Sequence, residues 1–232
     1  MKSILSRLGT VALTIATLAG VLAVAGGSAD ASGDQEDRTY RITVNNITDG
    51  QYFTPVNVAG HDGNRLFQNN REASSGIQAV AENGDVDALV QEWTAAGLDN
   101  VVVGDAPIQH GQSATAVFST KESRYSLVSM IICTNDGFGG VNSRRLPNRI
   151  GQTTTDQILS YDAGTEINTE LNADIVPAPF CEGNGIGTGE SDPALAENGR
   201  IRGHRGIRGV GDLGDNFDFS RRVGTVTIER IG

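Results

Sequence analysis

The sequence has few of the residues on which most catalytic sites depend. Its 232 residues include only three histidines and two cysteines, and aromatic residues make up 5% of the chain. His61, His110 and His204 stand apart, with no G-x-S-x-G elbow and no H-E-x-x-H zinc motif beside them. Nucleophilic and metallohydrolase chemistry therefore has no support in the sequence, and we expect a protein that is not an enzyme.

Basic residues are scarce, and lysine is almost absent. The chain has 18 basic and 28 acidic residues, a formal net charge of −10, and Lys121 is the only lysine after Lys2. A surface of this charge repels nucleic acids and anionic lipids and attracts divalent cations. We therefore expect neither nucleic acid nor an anionic membrane as a partner.

Long apolar segments are confined to the N-terminus. Lys2 and Arg7 precede an apolar run over residues 11–25, and Ala29-Asp30-Ala31 has the A-x-A form of a cleavage site. About 15 apolar residues are short for a bilayer, which needs about 20. The layout predicts a cleaved secretory signal peptide over residues 1–31, with an uncleaved anchor as the alternative.

Cleavage would leave a flexible segment over residues 32–37 and one domain over residues 38–232, with no further transmembrane segment. The protein would then be secreted, extracellular or at the cell surface, or periplasmic in a Gram-negative source. In such an oxidising compartment Cys133 and Cys181 are expected to form a disulfide, with two free buried thiols as the alternative.

Apolar patterning after the leader predicts a mainly β domain. Alternating or continuous apolar segments indicate strands over residues 40–47, 55–59, 101–103, 113–120, 125–133, 157–161 and 223–231. Two amphipathic helical segments lie between the second and third of these strands, the first with a capping box at Ser75 and Gln78, the second with Trp93 on its apolar face. Many short strands with a helical insertion predict an antiparallel β-sandwich.

The loop-rich region from residue 177 to residue 218 holds a cluster of arginines interleaved with glycine. Its arginines are Arg200, Arg202, Arg205 and Arg208. The cluster could grip a sulfated or carboxylated polymer, or it could be a solvated loop that balances nearby acids.

Oxygen-rich loops follow two of the predicted strands. Asp136 lies in the loop 134–138, and Asp162 and Glu166 lie in the loop 162–166. Calcium takes about six to eight oxygen ligands from carboxylates, carbonyls and water. If the two loops converge they predict a calcium site; otherwise they are Asx turns that cap the strands.

These loops also carry a resemblance to a known family. The segments 126–130, 134–140 and 161–166, with sequences SLVSM, TNDGFGG and YDAGTE, are similar to the spondin N-terminal (F-spondin) domain of extracellular matrix proteins. Residues 40–48 and 223–230 also resemble this domain, which has many single-domain bacterial and archaeal relatives. The chain resembles a single-domain prokaryotic member of this family.

The resemblance implies a C2-like antiparallel β-sandwich, a role in cell or matrix attachment, and calcium held by acidic loops. Asp136 and Asp162 match the family's ligands, and the third carboxylate is either Glu122 or Glu166. We therefore expect a secreted, calcium-binding adhesion or recognition module whose ligand is an extracellular protein or polysaccharide. The alternatives are a structural envelope protein without a specific ligand and a secreted carbohydrate-active enzyme that uses two acidic residues.

Overall fold

The computed structural model describes residues 36–63, 65–176, 179–181 and 191–232. The predicted signal peptide and most of the predicted flexible segment that follows it lie outside these ranges. Within them, no helix is both long enough and apolar enough to cross a membrane.

Antiparallel strands account for most of the regular structure in the described residues. The strands are β1 (Arg38–Asn46), β2 (Val56–His61), β3 (Asn100–Val103), β4 (Ser113–Thr120), β5 (Arg124–Met130), β6 (Gly137–Arg145), β7 (Thr153–Asp162), β8 (Arg202–Gly203) and β9 (Arg222–Arg230). The helices are α1 (Ser75–Asn83) and α2 (Val86–Ala95), and single 3-10 turns lie at Asn172–Asp174 and Asp215–Phe217.

The strands form one sheet that nearly closes on itself. Its order is β3-β2-β5-β6-β7-β9-β1-β4, with β8 paired to the end of β7. The two outer strands, β3 and β4, pack against each other, and Phe53 bridges to both Ile108 and Ile131. The predicted mainly β, antiparallel architecture with a helical insertion is therefore confirmed.

A period of two along the strands separates the core from the solvent. In β1, Tyr40, Ile42 and Val44 are fully buried, and their neighbours Val226 and Ile228 in β9 are buried with them. The residues between them on β1 face outward, as expected for a strand with one covered face. This apolar cluster fills the interior of the sheet.

A second apolar cluster lies between the helices and the outer face of β5. Ile77, Leu89 and Trp93 pack there against Val128 and Met130, and Trp93 is only 2% exposed. Trp93 is therefore a core residue, as its position on the apolar face of the helix predicted.

The predicted capping box of the first helix is wrong by one residue. Ser74, not Ser75, is the N-cap, and its Oγ accepts a hydrogen bond of 3.3 Å from the Ile77 amide. Gln78 instead donates to Glu82 one turn later. Two adjacent serines offer the same chemistry, and the structure selects the first.

Strand β6 was not predicted. Its first two residues, Gly137 and Phe138, fall in the predicted loop 134–138, and its sequence begins Gly-Phe-Gly-Gly, although glycine is unfavourable inside strands. The structure uses the missing side chain: a Cβ on Gly140 would lie 2.7 Å from the Phe67 ring. Phe67 therefore packs directly on bare strand backbone, and only glycine permits that contact.

The antiparallel register gives the sheet two chemically different ends. At one end β5 and β7 finish and their loops begin; we call it the acidic end, after Asp136, Asp162 and Glu166. At the other end β1 begins and β9 finishes; we call it the arginine end, after Arg124, Arg144 and Arg145.

Candidate functional site

A tight loop between β5 and β6 presents the first acidic residue. The Thr134 hydroxyl donates to the Ile131 carbonyl at 2.6 Å and accepts from the Gly137 amide at 2.9 Å. A Cβ on Gly137 would lie 2.4 Å from the Thr134 Oγ1, so the turn requires glycine there. The result is that Asp136, the last residue of the loop, is fully buried.

The loop after β7 begins beside this residue. Asp162 pairs with Gly137 across the sheet, and the Ala163 amide donates to the Asp136 carbonyl at 3.1 Å. The Gly164 amide donates to Asp162 Oδ1 at 2.9 Å, which forms an Asx turn. Gly164 has a φ of +73° and touches the Arg200 backbone, so another residue would be strained there.

The two loops are joined through one carboxylate oxygen. Asp136 Oδ2 accepts from the Thr165 amide at 2.7 Å and from the Glu166 amide at 3.1 Å. Asp136 Oδ1 is buried and has no hydrogen-bond partner in the part of the chain that the structure describes. Because a buried oxygen without a partner is costly, this atom is the group of the site that most needs a further polar or cationic partner.

Electrostatics at this point are unfavourable for two ionised acids. Burial, and then the neighbouring charge of Asp162, raise the pKa of Asp136 from 3.8 to about 7, against the effect of its two amide donors. Burial also raises the pKa of Asp162, an effect opposed by Arg202, the Gly164 amide and Asn168. A cation placed here would remove the repulsion and keep both groups ionised.

Asp162 is held by partners that come from later in the chain. Its Oδ2 accepts from Asn168 Nδ2 at 2.8 Å and lies 3.1 Å from Arg202 Nη2. His204 Nε2 lies 3.2 Å from Asn168 Oδ1, and its Nδ1 accepts from the Gly206 amide. Because Nδ1 accepts, Nε2 carries the proton, and burial of this neutral ring lowers the pKa of His204 to about 4.

Glu166 donates its backbone amide to Asp136, while its carboxylate accepts a hydrogen bond from another segment. Its Oε1 accepts from the Asp192 amide at 3.1 Å. Burial, followed by the charges of Glu82, Asp136 and Asp192, raises the pKa of Glu166 to about 7. Glu166 therefore lies next to Asp136 and Asp162, but its carboxylate does not form a group of three acidic side chains with them.

Glu122, the other expected third carboxylate, is not brought to this group. It lies in the turn between β4 and β5, where its carbonyl accepts from Arg38 at 2.9 Å. The whole of β5 separates it from Asp136, a distance of about 20 Å at 3.3 Å per residue. Accordingly, no set of three histidine, cysteine or acidic side chains within the described ranges has the geometry of a complete metal centre.

A disulfide fixes the base of the first loop. Cys133 and Cys181 are bonded, with their Cα atoms 5.6 Å apart, which confirms the predicted disulfide. Cys133 also donates its amide to Gln51 Oε1 at 3.0 Å. The segment that leads to Asp136 is therefore tied covalently to a distant part of the chain.

Residues 45–175 match the model of the family described as Spondin_N, the spondin N-terminal domain. The chain belongs to this family. The match includes the loops of Asp136, Asp162 and Glu166, and confirms the resemblance seen in the sequence. A search of curated proteins found no match.

The spondin match ends before several residues that complete the site. Arg202, His204 and Cys181 all lie beyond residue 175. The sequence marked Arg202 only as a member of an arginine cluster, and nothing assigned Asn168 or His204 to the site. Their contacts depend on how the long loop before β9 folds back on β7, which no local pattern reveals.

Proposed function

We propose that this spondin domain is an extracellular recognition or adhesion module, not an enzyme, and that its acidic end binds one calcium ion. The observation that supports this most is the buried Oδ1 of Asp136, which has no hydrogen-bond partner among the described residues and lies beside the second carboxylate, Asp162. Hard divalent cations prefer such oxygens. Membership of the spondin family supports the extracellular role.

Asp136 and Asp162 would supply the two carboxylates. Loop carbonyls and water would supply the remaining oxygens of a calcium shell. Glu166 is the nearest candidate for a third carboxylate, since its backbone already contacts Asp136. Glu122 is left out of the proposed set because it lies at the arginine end.

The ion would act on the recognition surface by fixing two loops. Without it, repulsion between two buried carboxylates opposes the packing of the loops against each other. With it, both loops would have one defined arrangement at extracellular calcium levels. Recognition by this end of the molecule would then depend on calcium.

A structural protein without a metal is the second candidate, and Arg202 is the observation in its favour. Its guanidinium already places one positive charge 3.1 Å from Asp162. Protonation of Asp136 could then provide the rest of the charge balance. A glycosidase is less well supported, because the fully buried Asp136 is closed to a sugar substrate.

Thermal unfolding with calcium and with a chelator separates these candidates. At free calcium of 100 times Kd we expect stabilisation of about 2.7 kcal/mol, a rise in Tm of about 5–10 °C. Asp136→Asn and Asp162→Asn should lose the shift. The exposed Asp105→Asn is the matched control and should keep it. An unchanged wild-type Tm would reject calcium binding and favour the structural role.

A further inference from the structure

A groove begins at the arginine end and follows β6 and β7. Two cavities of about 350 and 570 Å³ form it, and Arg144 lines both. Arg65 lines the first cavity, and Arg124 and Arg145 line the second. Four arginines therefore line two cavities that share Arg144, on a chain whose net charge is −10.

Acidic residues do not neutralise this groove. Among the residues that the structure describes, Asp156 is the only acid that lines either cavity; it lies 3.3 Å from Arg144 Nε and accepts a hydrogen bond from the Tyr125 hydroxyl at 2.8 Å. Within the described ranges, Arg65, Arg124 and Arg145 have no carboxylate within 4.0 Å. The groove thus keeps an excess of positive charge, which is the requirement for an anionic ligand.

The wall between the two cavities is held by specific contacts. Arg124 Nη1 donates to the Ser143 carbonyl at 2.7 Å, and the Ser143 amide donates to the Ser126 hydroxyl at 2.9 Å. Asn142 donates to the Phe67 carbonyl. Ser143 has a φ of +54°, a backbone conformation that these contacts maintain. The guanidinium of Arg124 is therefore positioned before any ligand arrives.

Several other residues that line the two cavities are polar and can form hydrogen bonds with hydroxyl groups. Side-chain amides of Gln68, Asn69 and Gln157 line the first cavity, and Thr154 and Thr155 line the second. Such groups hydrogen-bond to sugar hydroxyls, while arginines form paired hydrogen bonds with carboxylates and sulfates.

Phe67 and Tyr161 are the aromatic residues that line this groove among those the structure describes, and Phe67 is only 5% exposed and packs edge-on against Tyr161. Tyr161, which lines it, has Arg221 4.4 Å above its ring centroid and stacks on Phe138. Base stacking needs a free ring face. The polar lining thus favours a glycan over a nucleic acid.

We propose that this groove binds a linear polysaccharide that carries carboxylate or sulfate groups. The arginines would contact the anionic groups, and the amides and threonines would contact the hydroxyls between them. This polysaccharide would be the partner in the extracellular role proposed above. The inference rests on that role only in requiring that the protein meets the polysaccharide outside the cell. It does not depend on calcium.

The test is binding of the purified protein, in the presence of a chelator, to polygalacturonate, dextran sulfate, neutral dextran and poly-L-glutamate. Arg65→Gln/Arg145→Gln removes two exposed guanidiniums of the groove. Arg205→Gln/Arg208→Gln removes the same charge at the acidic end and is the matched control. Melting curves verify that both variants fold.

We expect wild type to bind at least one of the two anionic polysaccharides and to ignore dextran. The groove variant should bind at least tenfold more weakly, and the control variant within twofold of wild type. Equal weakening in both variants, binding to neither polyanion, or equally tight binding to poly-L-glutamate would overturn the proposal. Sedimentation that shows the arginine end bound to a second copy would also overturn it. Because chelator is present throughout, failure here leaves the calcium proposal untouched.

Discussion

The two ends of the sheet handle charge in opposite ways. At the acidic end, Asp136 is buried without full compensation, and its pKa rises to about 7. At the arginine end, Arg144 and Arg145 stay exposed while the backbone around them is fixed by hydrogen bonds. A buried charge makes local folding depend on a counter-ion, whereas an exposed charge on a fixed frame leaves folding independent of any ligand.

Removal of the disulfide should have the largest effect, because it should destabilise the acidic end while ligand binding at the arginine end persists. Cys133 and Cys181 close a loop of 48 residues, so Cys133→Ser/Cys181→Ser should lower the free energy of unfolding by about 3–4 kcal/mol. Denaturant unfolding measures the loss. At low temperature the folded fraction should still bind anionic polysaccharide, since the groove lies at the other end. A variant as stable as wild type would contradict the assigned role of the bond.

The pH dependence of Asp136 should be the next largest effect. Its pKa is raised from 3.8 to about 7 in the folded state. Between these values the folded state holds a proton that the unfolded state has lost, so stability falls as pH rises. In chelator at pH 8, Asp136→Asn should therefore be more stable than wild type by about 1–3 kcal/mol. Near pH 4 the two should be equal.

The comparison of the two proteins cancels the titrations that do not depend on Asp136, such as that of His204. His204, with a pKa lowered to about 4 from 6.5, gains stability as pH rises through that window, but it does so in both proteins. The measurement is denaturant unfolding at several pH values. Saturating calcium should reverse the order at pH 8, because only wild type binds the ion with both carboxylates. A pH-independent difference would rule out the assigned shift.

Arg202 should set the calcium affinity of the acidic end. Arg202→Gln removes a positive charge 3.1 Å from Asp162 Oδ2, so calcium should bind severalfold more tightly. Calorimetric titration measures this. Arg200→Gln changes the same charge two positions earlier, where the side chain contacts the Asn70 carbonyl, and should have a smaller effect. Weaker binding in Arg202→Gln would mean that the arginine supports the site.

The smallest predicted effect is at the arginine end, at Ser143. Its φ of +54° costs a non-glycine residue about 1–2 kcal/mol. A glycine at this position would avoid that cost, but its larger conformational entropy in the unfolded state would offset part of the benefit. Ser143→Gly should therefore stabilise by about 0.5 kcal/mol, while Ser143→Ala should not stabilise. Urea midpoints of the two variants decide this, and equal midpoints would remove the assigned backbone strain.

Most strands could be predicted because a strand that is buried on one face has apolar residues at every second position of its sequence. β4 was predicted with its observed bounds, 113–120, and β1 within two residues at its start. β6 could not be predicted, because Gly139 and Gly140 serve contacts with Ile158 and Phe67 that are distant in sequence. Local propensity carries no information about such contacts.

The candidate site was predictable to the same extent. Asp136 and Asp162 could be proposed because each lies in an oxygen-rich loop that follows a predicted strand, and because both loops resemble the spondin domain. The contact between Asp162 and Arg202 could not, because it spans a long loop without periodic pattern. Glu122, one of the two alternatives for the third carboxylate, lies at the opposite end of β5 from Asp136, and its closeness to Asp136 along the chain does not reveal this.

The register of β1 and β9 has a mechanical consequence. Thr39 and Gly232 exchange backbone hydrogen bonds at the arginine end, with N···O distances of 3.2 and 3.1 Å. A force that pulls residues 38 and 232 apart would unzip this antiparallel pair one rung at a time. A force between a partner bound at the acidic end and an attachment at residue 232 would instead act parallel to the strands. It would load many of the β1–β9 hydrogen bonds at the same time, in shear. The same fold is thus weak to one direction of tension and strong to the other.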